Sequence, residues 1–446
     1  MGELRMKVCQ LKFHVGNFDD PMLGKTKVLD VRLYGTTNTP GTAHIGNRLP
    51  GEIERLSAPT STVAYDFLSI ALAVTAADSF FQRARYGEDG WARNFELEIP
   101  LVKPAAWNAV RIQLEQMLRF LSGDLWSLSF TGGGAKNPSA LKTRKRRVAN
   151  LAGVDAVCLF SGGLDSWLGV NKLLAQGRVP VLVSHAYTGD RQYQNRLFRT
   201  FKGRAERFSA NASPLRHEGG GMDTSMRTRS FNFLAYAAVA ADAVFQLRPQ
   251  NGKVPLIIPE NGFIALNAPL TPRRIGSLST RTTHPHYLVT MQSIFDGVGI
   301  NAVIDNPYRH DTKGEMIKAS APDAAQAANA MKTVSCGKWK RKGIQCGHCV
   351  PCIIRRSAFF AAGVTDVTHY GQTLVETMND DRLHKRDDLM SMIQATRAVK
   401  TDRLRTLAME SGPLPLHAPE RQGWFDVHER GLYEVANYLR ATGVMT

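Results

Sequence analysis

The sequence lacks any uninterrupted apolar stretch of the ~20 residues that a membrane-spanning helix requires. Its most apolar run covers residues 67–77 and is followed at once by Asp78. The first ten residues contain no apolar core of the kind found in secretory signals, and Met6 stands where a myristoylation motif requires Ser or Thr. We therefore expect a cytoplasmic protein that does not associate with a membrane.

Acidic residues are also scarce. There are 39 Asp and Glu against 56 Lys and Arg, which gives a formal net charge of +17. This excess favours an anionic partner such as a nucleotide, a nucleic acid or an acidic protein surface, although a basic solvated surface has the same composition. The densest basic run, KTRKRR at residues 142–147, lies at a predicted domain junction and is either a linker or a phosphate contact.

Cysteine is limited to six residues, and their distribution argues against a disulfide framework. Cys9 and Cys158 stand alone in apolar, strand-like runs. The other four lie between Cys336 and Cys352, a span of seventeen residues. Without a secretory signal, this pattern fits a reducing compartment and a metal site better than three disulfides.

The hydrophobic pattern divides the 446 residues into three parts. Residues 1–150 read as a mixed α/β module that serves as a scaffold or binds a partner. Residues 151–365 alternate strands with helices, which predicts an α/β fold with a doubly wound parallel sheet. Residues 366–446 read as a helical extension. Ligands of such sheets bind beyond the C-terminal ends of the strands, and the motifs of the middle part lie at those ends.

A glycine-rich loop follows the first strand of the middle part. The strand DAVCLF ends at Phe160, and the segment SGGLDS then opens a helix. Adjacent glycines allow a sharp turn, and the N–H groups of a helix start favour an anion. An aspartate in such a loop would repel phosphate unless Mg²⁺ lies between them. The alternative is an ordinary strand–turn–helix with a serine cap. The residues predicted to bind the phosphate groups of a ligand here are Ser161, Gly162, Gly163, Leu164, Asp165 and Ser166.

The cysteine cluster has the spacing C-x9-C-x2-C-x2-C and comprises Cys336, Cys346, Cys349 and Cys352. Four thiolates at these spacings can close a tetrahedron around Zn²⁺, and a site with four protein ligands is structural. An iron–sulfur cluster is the chemical alternative, and His348 could replace one ligand. We expect zinc at residues 336–352.

These motifs resemble those of known enzymes. SGGLDS resembles the signature of the PP-loop ATP pyrophosphatases, which cleave ATP between the α and β phosphates. Followed by the cysteine cluster and an apolar helix, it resembles the 7-cyano-7-deazaguanine synthase (QueC) family over residues 154–365, about half of the chain. The resemblance implies an adenine nucleotide alpha hydrolase-like fold, the cofactors ATP, Mg²⁺ and Zn²⁺, and adenylation of 7-carboxy-7-deazaguanine.

The resemblance also implies catalytic residues. Lys313 matches a lysine that opens a helix in the family, where it can reach pyrophosphate oxygens; a surface lysine is the alternative. Arg229 resembles a family arginine, although Ser230 follows it here where the family has Asn. With these two we group Asp165 as catalytic.

Further binding residues are predicted at two other strand ends. His185 and Ala186 follow the second strand, where the family has an acidic–aromatic run, and we assign them to the nucleotide site. A loop rich in arginine and hydroxyl groups follows a later strand and suits a planar heterocycle or an anion. The substrate-binding residues predicted there are Glu260, Asn261, Arg274, Ser279, Thr280 and Arg281.

The chain is longer than typical members of that family, and this layout resembles the QatC-type proteins of bacterial anti-phage defence systems. That resemblance implies that the activated deazaguanine acid is joined to the amino terminus of a partner protein encoded beside it. The alternatives are nitrile synthesis with ammonia, tRNA modification, which the +17 charge favours, and a non-catalytic scaffold. Nucleic acid is a possible partner but not the preferred one.

Overall fold

The structure is a computed structural model. It describes residues 7–16, 23–140, 148–187, 189–217, 221–223, 227–266, 268, 281–320, 324–338, 343–397, 399 and 403–445.

The first sheet is built mainly from the N-terminal part of the chain. Its strands within the described ranges are β1 (Val8–His14), β2 (Leu29–Leu33), β3 (Ala43–Ile45), β4 (Asn94–Pro100), β5 (Leu125–Thr131) and, from later in the chain, β9 (Leu215–Arg216). The order is β5-β4-β1-β2-β3-β9, with β1 to β5 parallel and β9 antiparallel to β3. Buried and exposed side chains alternate along β1 and β5, as predicted for half-buried strands.

The helices of the N-terminal part are α1 (Leu49–Glu54), α2 (Thr62–Phe80), α3 (Arg83–Tyr86), α4 (Pro104–Ala109) and α5 (Arg111–Ser122). Of these, α2, α4 and α5 pack against the strands of this sheet. The hydrophobic pattern predicts single helices over residues 60–85 and 105–121, but each is divided in two. The first breaks because the backbone becomes extended at Phe81. The second breaks at Val110, whose backbone is not helical.

The second sheet is entirely parallel. It contains β6 (Ala156–Leu159), β7 (Pro180–His185), β8 (Glu206–Ala210), β10 (Val254–Ile257) and β11 (Ala302–Asp305) in the order β11-β10-β6-β7-β8. The strand order therefore reverses between β6 and β10, and the crevice at such a reversal is the usual ligand site of an open parallel sheet. The sequence pattern predicts a helix over residues 191–208, but the α-helix there ends at Phe198 and residues 206–208 belong to β8.

Helices lie on both faces of the second sheet, so the predicted doubly wound α/β arrangement is confirmed. The α-helices described in this part of the chain are α6 (Leu164–Ala175), α7 (Arg191–Phe198), α8 (Arg229–Leu247), α9 (Gly262–Leu266), α10 (Pro285–Val298), α11 (Lys313–Ser320), α12 (Ala324–Ala330) and α13 (Val350–Ala361). Along β7, Val181 packs in the core with α8, whereas the adjacent Leu182 packs in a second core with α6 and α13.

One core joins the two sheets through α2 and α8, which pack against each other. Both helices are long and apolar enough to cross a membrane, but their apolar windows are 100% and 72% buried, respectively. Buried core helices of a folded protein are commonly as long and as apolar as these two. The predicted boundary near residue 150 lies between the two sheets, but β9 and this common core cross it.

A buried group of charges links the sheets. Arg93 donates to Asp78 and, at 3.0 Å, to Asp124, while Arg83 makes two hydrogen bonds to Asp124 at 2.6 and 2.8 Å. Burial raises the pKa of Asp124, but the two arginines hold it below its usual range. Asp78 also accepts hydrogen bonds of 2.9 Å from the N–H and hydroxyl of Thr228, directly before α8.

The C-terminal part is helical, as predicted, and consists of α14 (Leu374–Met378), α15 (Leu383–Arg397), α16 (Arg403–Glu410) and α17 (Ala418–Ala441). The charged, amphipathic pattern over residues 374–407 therefore corresponds to α14, α15 and most of α16. The sequence pattern predicts a short final helix at residues 431–439, but these residues are part of the longer α17. This helix packs against α9, α13, α15 and α16.

The segment between the sheets, predicted to be a linker, is partly anchored. Ala135 is buried, and the Asn137 side chain donates to the Thr60 carbonyl at 2.5 Å. The basic run at residues 142–147 lies outside the described residues.

We expect Arg93→Met to lower the free energy of unfolding by about 3–5 kcal/mol, because it leaves buried carboxylates without their shared cation. Denaturant titration of the purified protein measures this change. As a control, Lys12→Ala removes an exposed ion pair with Glu98 (3.2 Å) and should cost less than about 1 kcal/mol. Equal, small effects of the two substitutions would contradict the assigned role of the buried charges.

Candidate functional site

The glycine-rich loop joins β6 to α6 at the strand-order reversal. Gly162 has φ of +84°, in the left-handed region, and a Cβ atom there would lie 2.6 Å from the Tyr193 ring. Either condition alone disfavours a larger residue. Gly163 is the N-cap residue of α6. The strand–loop–helix context predicted for the phosphate loop, residues 161–166, is therefore present.

Hydrogen bonds within the loop fix its serines. Ser161 Oγ accepts from the Gly163 N–H at 3.2 Å and donates to Ser166 Oγ at 3.3 Å. Ser166 Oγ in turn donates to the Gly163 carbonyl at 2.9 Å. From α7, Gln194 donates to the Ser161 carbonyl at 3.1 Å. The first N–H groups of α6 have no intrahelical acceptor, so the loop presents a positive helix end suited to an anion.

A buried cluster of charged and amide side chains lies beside this loop. The Lys313 Nζ is 2.6 Å from Asp165 Oδ1, and the Asn261 side chain donates to Asp165 Oδ2 at 2.6 Å. Glu260 is hydrogen-bonded to the same carboxylate. The loops after β6, β10 and β11 thus converge, because neighbouring parallel strands place their C-terminal ends together. Four residues predicted for catalysis or substrate binding are brought into one group.

The charges of this cluster are unequal. Burial raises the pKa of Asp165, but the positive charge of Lys313 and hydrogen bonds from Glu260, Lys313 and Asn261 bring it down to about 2. Burial and the neighbouring Asp165 carboxylate raise the pKa of Glu260 well above its ordinary value. Asp165 is therefore ionised at neutral pH, whereas the pKa of Glu260 is shifted toward the protonated form. Asp165 contributes a carboxylate, the ligand type that hard cations such as Mg²⁺ prefer, and Mg²⁺ binding here stays a prediction.

Arg229 lies at the end of β7. Its guanidinium is 2.7 Å from Asp190 Oδ2 and 3.0 Å from the ring of His185, and it lies over the Tyr187 ring. Two residues predicted separately, Arg229 and His185, are therefore in contact, and their roles in catalysis and nucleotide binding stay predictions. The backbone of Ala186 is used within the fold, since its N–H donates to Ala210 and its carbonyl accepts from Asn211.

The remaining predicted substrate residues are not brought into this cluster by any described contact. Arg274, Ser279 and Thr280 lie outside the described residues. Arg281 donates to the carbonyls of Phe120 and Ser411 at 2.8 and 3.1 Å and lies over the Phe120 ring. It joins the N-terminal module to the C-terminal extension, and its role in substrate binding stays a prediction.

Sequence reasoning missed the contribution of α7. Tyr193 closes over Gly162, Gln194 holds the loop backbone, and Asp190 holds Arg229. The only available signal was the position of these polar and aromatic residues just after a strand end. Without the sheet order, nothing in the sequence shows that this helix lies against the phosphate loop.

The four predicted cysteines come together. Their sulfur atoms all lie within 4.8 Å of one another, with Cys346–Cys352 and Cys336–Cys349 at 3.9 Å. A tetrahedron with Zn–S bonds of about 2.3 Å has S···S edges of about 3.8 Å, so the site fits zinc. Hydrogen bonds from the other three thiols, Cys336 first, hold the pKa of Cys346 far below its usual range.

His348 lies outside this sulfur group. Its Nδ1 is 3.2 Å from the Cys346 carbonyl and its Nε2 is 3.3 Å from Lys338 Nζ. Two backbone groups support the sulfurs instead, because Cys336 Sγ accepts from the N–H groups of Lys338 and Cys346 at 3.3 Å. In the part of the chain that the structure describes, the four cysteines are the one group suited to hold a metal by three or more His, Cys, Asp or Glu ligands.

The four cysteines and the residues beside them, here called the cysteine unit, are hydrogen-bonded to the phosphate loop. The N–H of Val334, two residues before Cys336, donates to the Gly162 carbonyl at 3.2 Å. Arg355, which is fully buried in α13, donates to Thr333 Oγ1 at 2.7 Å. A metal that orders these residues would therefore also order one side of the glycine-rich loop.

Two curated relatives match part of the chain. It is 35% identical over 74 residues to a 7-cyano-7-deazaguanine synthase of Thiobacillus denitrificans, which is 17% of this chain and 32% of that protein. It is 36% identical over 67 residues to a protein of the same name from Syntrophobacter fumaroxidans, or 15% of this chain and 27% of that protein. The chain thus spans about a third or less of these relatives. No family model and no solved structure matches it.

These matches make the chain similar in part to 7-cyano-7-deazaguanine synthases. They do not extend to the longer defence-associated proteins, whose resemblance stays a prediction.

We expect one zinc ion per chain, measured by elemental analysis of the purified protein. Cys352→Ser should reduce the zinc content severalfold and destabilise the protein, because structural zinc binding contributes directly to folding. Cys9→Ala, which removes a buried thiol of the first sheet, should retain zinc. Iron and visible absorption in the wild type, or full zinc in Cys352→Ser, would contradict the assignment.

Proposed function

We propose that this chain is an ATP-dependent adenylating ligase that activates the carboxylate of 7-carboxy-7-deazaguanine, or a close analogue, and transfers it to an amine. The observation that supports this most is the buried ion pair of Asp165 and Lys313 beside the phosphate loop. Burial of two charges is costly, and an ordinary strand–turn–helix has no need of it. The partial similarity to 7-cyano-7-deazaguanine synthases suggests the same chemistry.

In the first step, ATP binds with its phosphates at the N-terminus of α6. An oxygen of the substrate carboxylate attacks the α-phosphorus, and the bond to the oxygen that bridges the α and β phosphates breaks. Pyrophosphate leaves with that electron pair, and the ammonium of Lys313 stabilises its charge. Asp165 would hold Mg²⁺, which neutralises phosphate charge during the transfer.

In the second step, the amine attacks the acyl carbon of the adenylate. A C–N bond forms, the bond from the acyl carbon to the AMP oxygen breaks, and the amine loses a proton to solvent. AMP and an amide are the products. Arg229, one-third exposed beside Asp190, is the cation that we assign to contact with ATP or the adenylate from the β7 side.

For the acceptor we propose the amino terminus of a partner protein from the same defence operon, in the cytoplasm. Two features of the chain support a macromolecular acceptor. The first sheet is fused to the second through a common core, and the C-terminal helices pack directly on the elements of the site. Both parts of the chain add surface, beyond the second sheet, to which a partner protein can bind.

The second candidate is 7-cyano-7-deazaguanine synthesis, which the name of both relatives favours. Ammonia would then be the amine, and a second adenylation followed by dehydration would convert the amide into the nitrile. A reaction with ammonium alone distinguishes the two, since only the second candidate gives a nitrile without a protein. Modification of tRNA would instead require RNA for turnover.

We expect Asp165→Asn to reduce AMP formation from ATP by at least about 100-fold, because it removes the charge that orients the metal and Lys313. Quantitative chromatography of nucleotides measures the rate. Asp296→Asn is the control, since Asp296 is exposed and pairs only with surface groups, Lys253 and Gln292, among its described contacts. Unchanged AMP formation in Asp165→Asn would favour a non-catalytic scaffold.

A further inference from the structure

The C-terminal helix α17 contacts the loop that carries Lys313. Glu434 of α17 accepts a hydrogen bond from Thr312 Oγ1 with one carboxylate oxygen and from the Gly314 N–H, at 3.3 Å, with the other. These two donors flank Lys313 in the sequence. The carboxylate thus holds the backbone on both sides of the lysine.

Thr312 is itself the cap of α11. Its hydroxyl accepts from the Glu315 N–H at 3.1 Å, and the Glu315 side chain accepts from the Thr312 N–H at 2.8 Å. Since the hydroxyl oxygen already serves as the cap acceptor, its proton is available for Glu434. The capping box and the carboxylate of α17 therefore form one continuous hydrogen-bonded unit.

A second contact fixes the same loop. Arg430, one turn before Glu434, donates to Glu315 Oε1 at 2.7 Å and to the His310 carbonyl at 2.6 Å. Arg430 and Glu434 lie on the same side of α17 because residues four apart share a helix face. Together they hold the segment from His310 to Glu315.

Three glycines show how closely α17 approaches the site. A Cβ atom at Gly314 would lie 2.3 Å from the Glu434 carboxylate. A Cβ atom at Gly431 would lie 2.4 Å from the Phe263 ring, and one at Gly262 would lie 2.1 Å from the Arg309 carbonyl and 2.9 Å from Val427. The loop that carries Asn261 and the loop that carries Lys313 are thus both packed against the same helix.

We infer that α17 is part of the catalytic centre and that Glu434 is a positioning residue for Lys313. The expected effect of Glu434 on the reaction rate rests on the proposed function. The side chain of Lys313 must keep its ammonium beside Asp165 and then reach the leaving pyrophosphate. Its backbone is fixed from outside the sheet, by a helix that follows the cysteine cluster by more than sixty residues.

The kinetic test compares Glu434→Ala with the wild type in AMP formation at varied ATP concentration. We expect kcat to fall roughly 10-fold or more, because small displacements of a catalytic group are costly, while KM for ATP changes less than about threefold. Glu434→Gln keeps one acceptor oxygen and the side-chain volume, so its kcat should lie between those of the wild type and Glu434→Ala. Zinc content should be unchanged in both variants.

The matched control is Glu429→Ala on the same helix, since no hydrogen bond or ion pair of Glu429 is found in the described part of the structure. It should have the kcat of the wild type. A wild-type kcat in Glu434→Ala would overturn the inference. So would an equal loss of kcat, ATP binding and zinc in that variant, which is the result expected of a purely structural residue.

Amide hydrogen exchange separates this inference from the proposed function. In Glu434→Ala, but not in Glu429→Ala, exchange in residues 312–316 should be at least roughly 10-fold faster, because Gly314 loses its acceptor. This result is measurable even if the wild type does not cleave ATP, in which case the proposed function fails and the contact stands. Unchanged exchange would show that Glu434 does not hold the loop.

Discussion

The burial of α8 between two layers is the constraint on which the rest of the structure depends. The helix packs on α2 from the first sheet and on β6, β7 and β10 of the second. It is rich in alanine, and small side chains on both sides allow close approach of its neighbours. Asp78 of α2 holds Thr228 at its start, and the next residue, Arg229, enters the site. The first sheet is therefore connected to the candidate site through α8.

The site itself follows from the strand order of the second sheet. Reversal between β6 and β10 brings the phosphate loop and the Glu260–Asn261 loop together at the C-terminal ends of the strands. The low pKa of Asp165 keeps its carboxylate charged within this buried position, and Lys313 balances that charge. The cysteine unit supports the loop from one side and α17 supports Lys313 from the other.

Much of the second sheet and its site could be predicted from the sequence because the signals are local. SGGLDS after a buried strand, and four cysteines at short spacings, each specify a geometry within a few residues. The contacts of Tyr193 and Glu434 could not be predicted in this way, because they depend on which elements become neighbours after folding. Glu434 lies 121 residues from Lys313. The helix breaks at Phe81 and Val110 were missed because neither position carries a glycine or proline that would signal a break.

The most direct test of the central claim is to follow oxygen during turnover. The wild-type protein would be incubated with ATP, Mg²⁺, ammonium and 7-carboxy-7-deazaguanine whose carboxylate carries ¹⁸O, with and without the candidate partner protein. Mass spectrometry of the nucleotide follows the label. Adenylation predicts AMP that contains one ¹⁸O atom, since the acyl–oxygen bond breaks when the amine attacks. Unlabelled AMP, or ADP in place of AMP, would contradict the account.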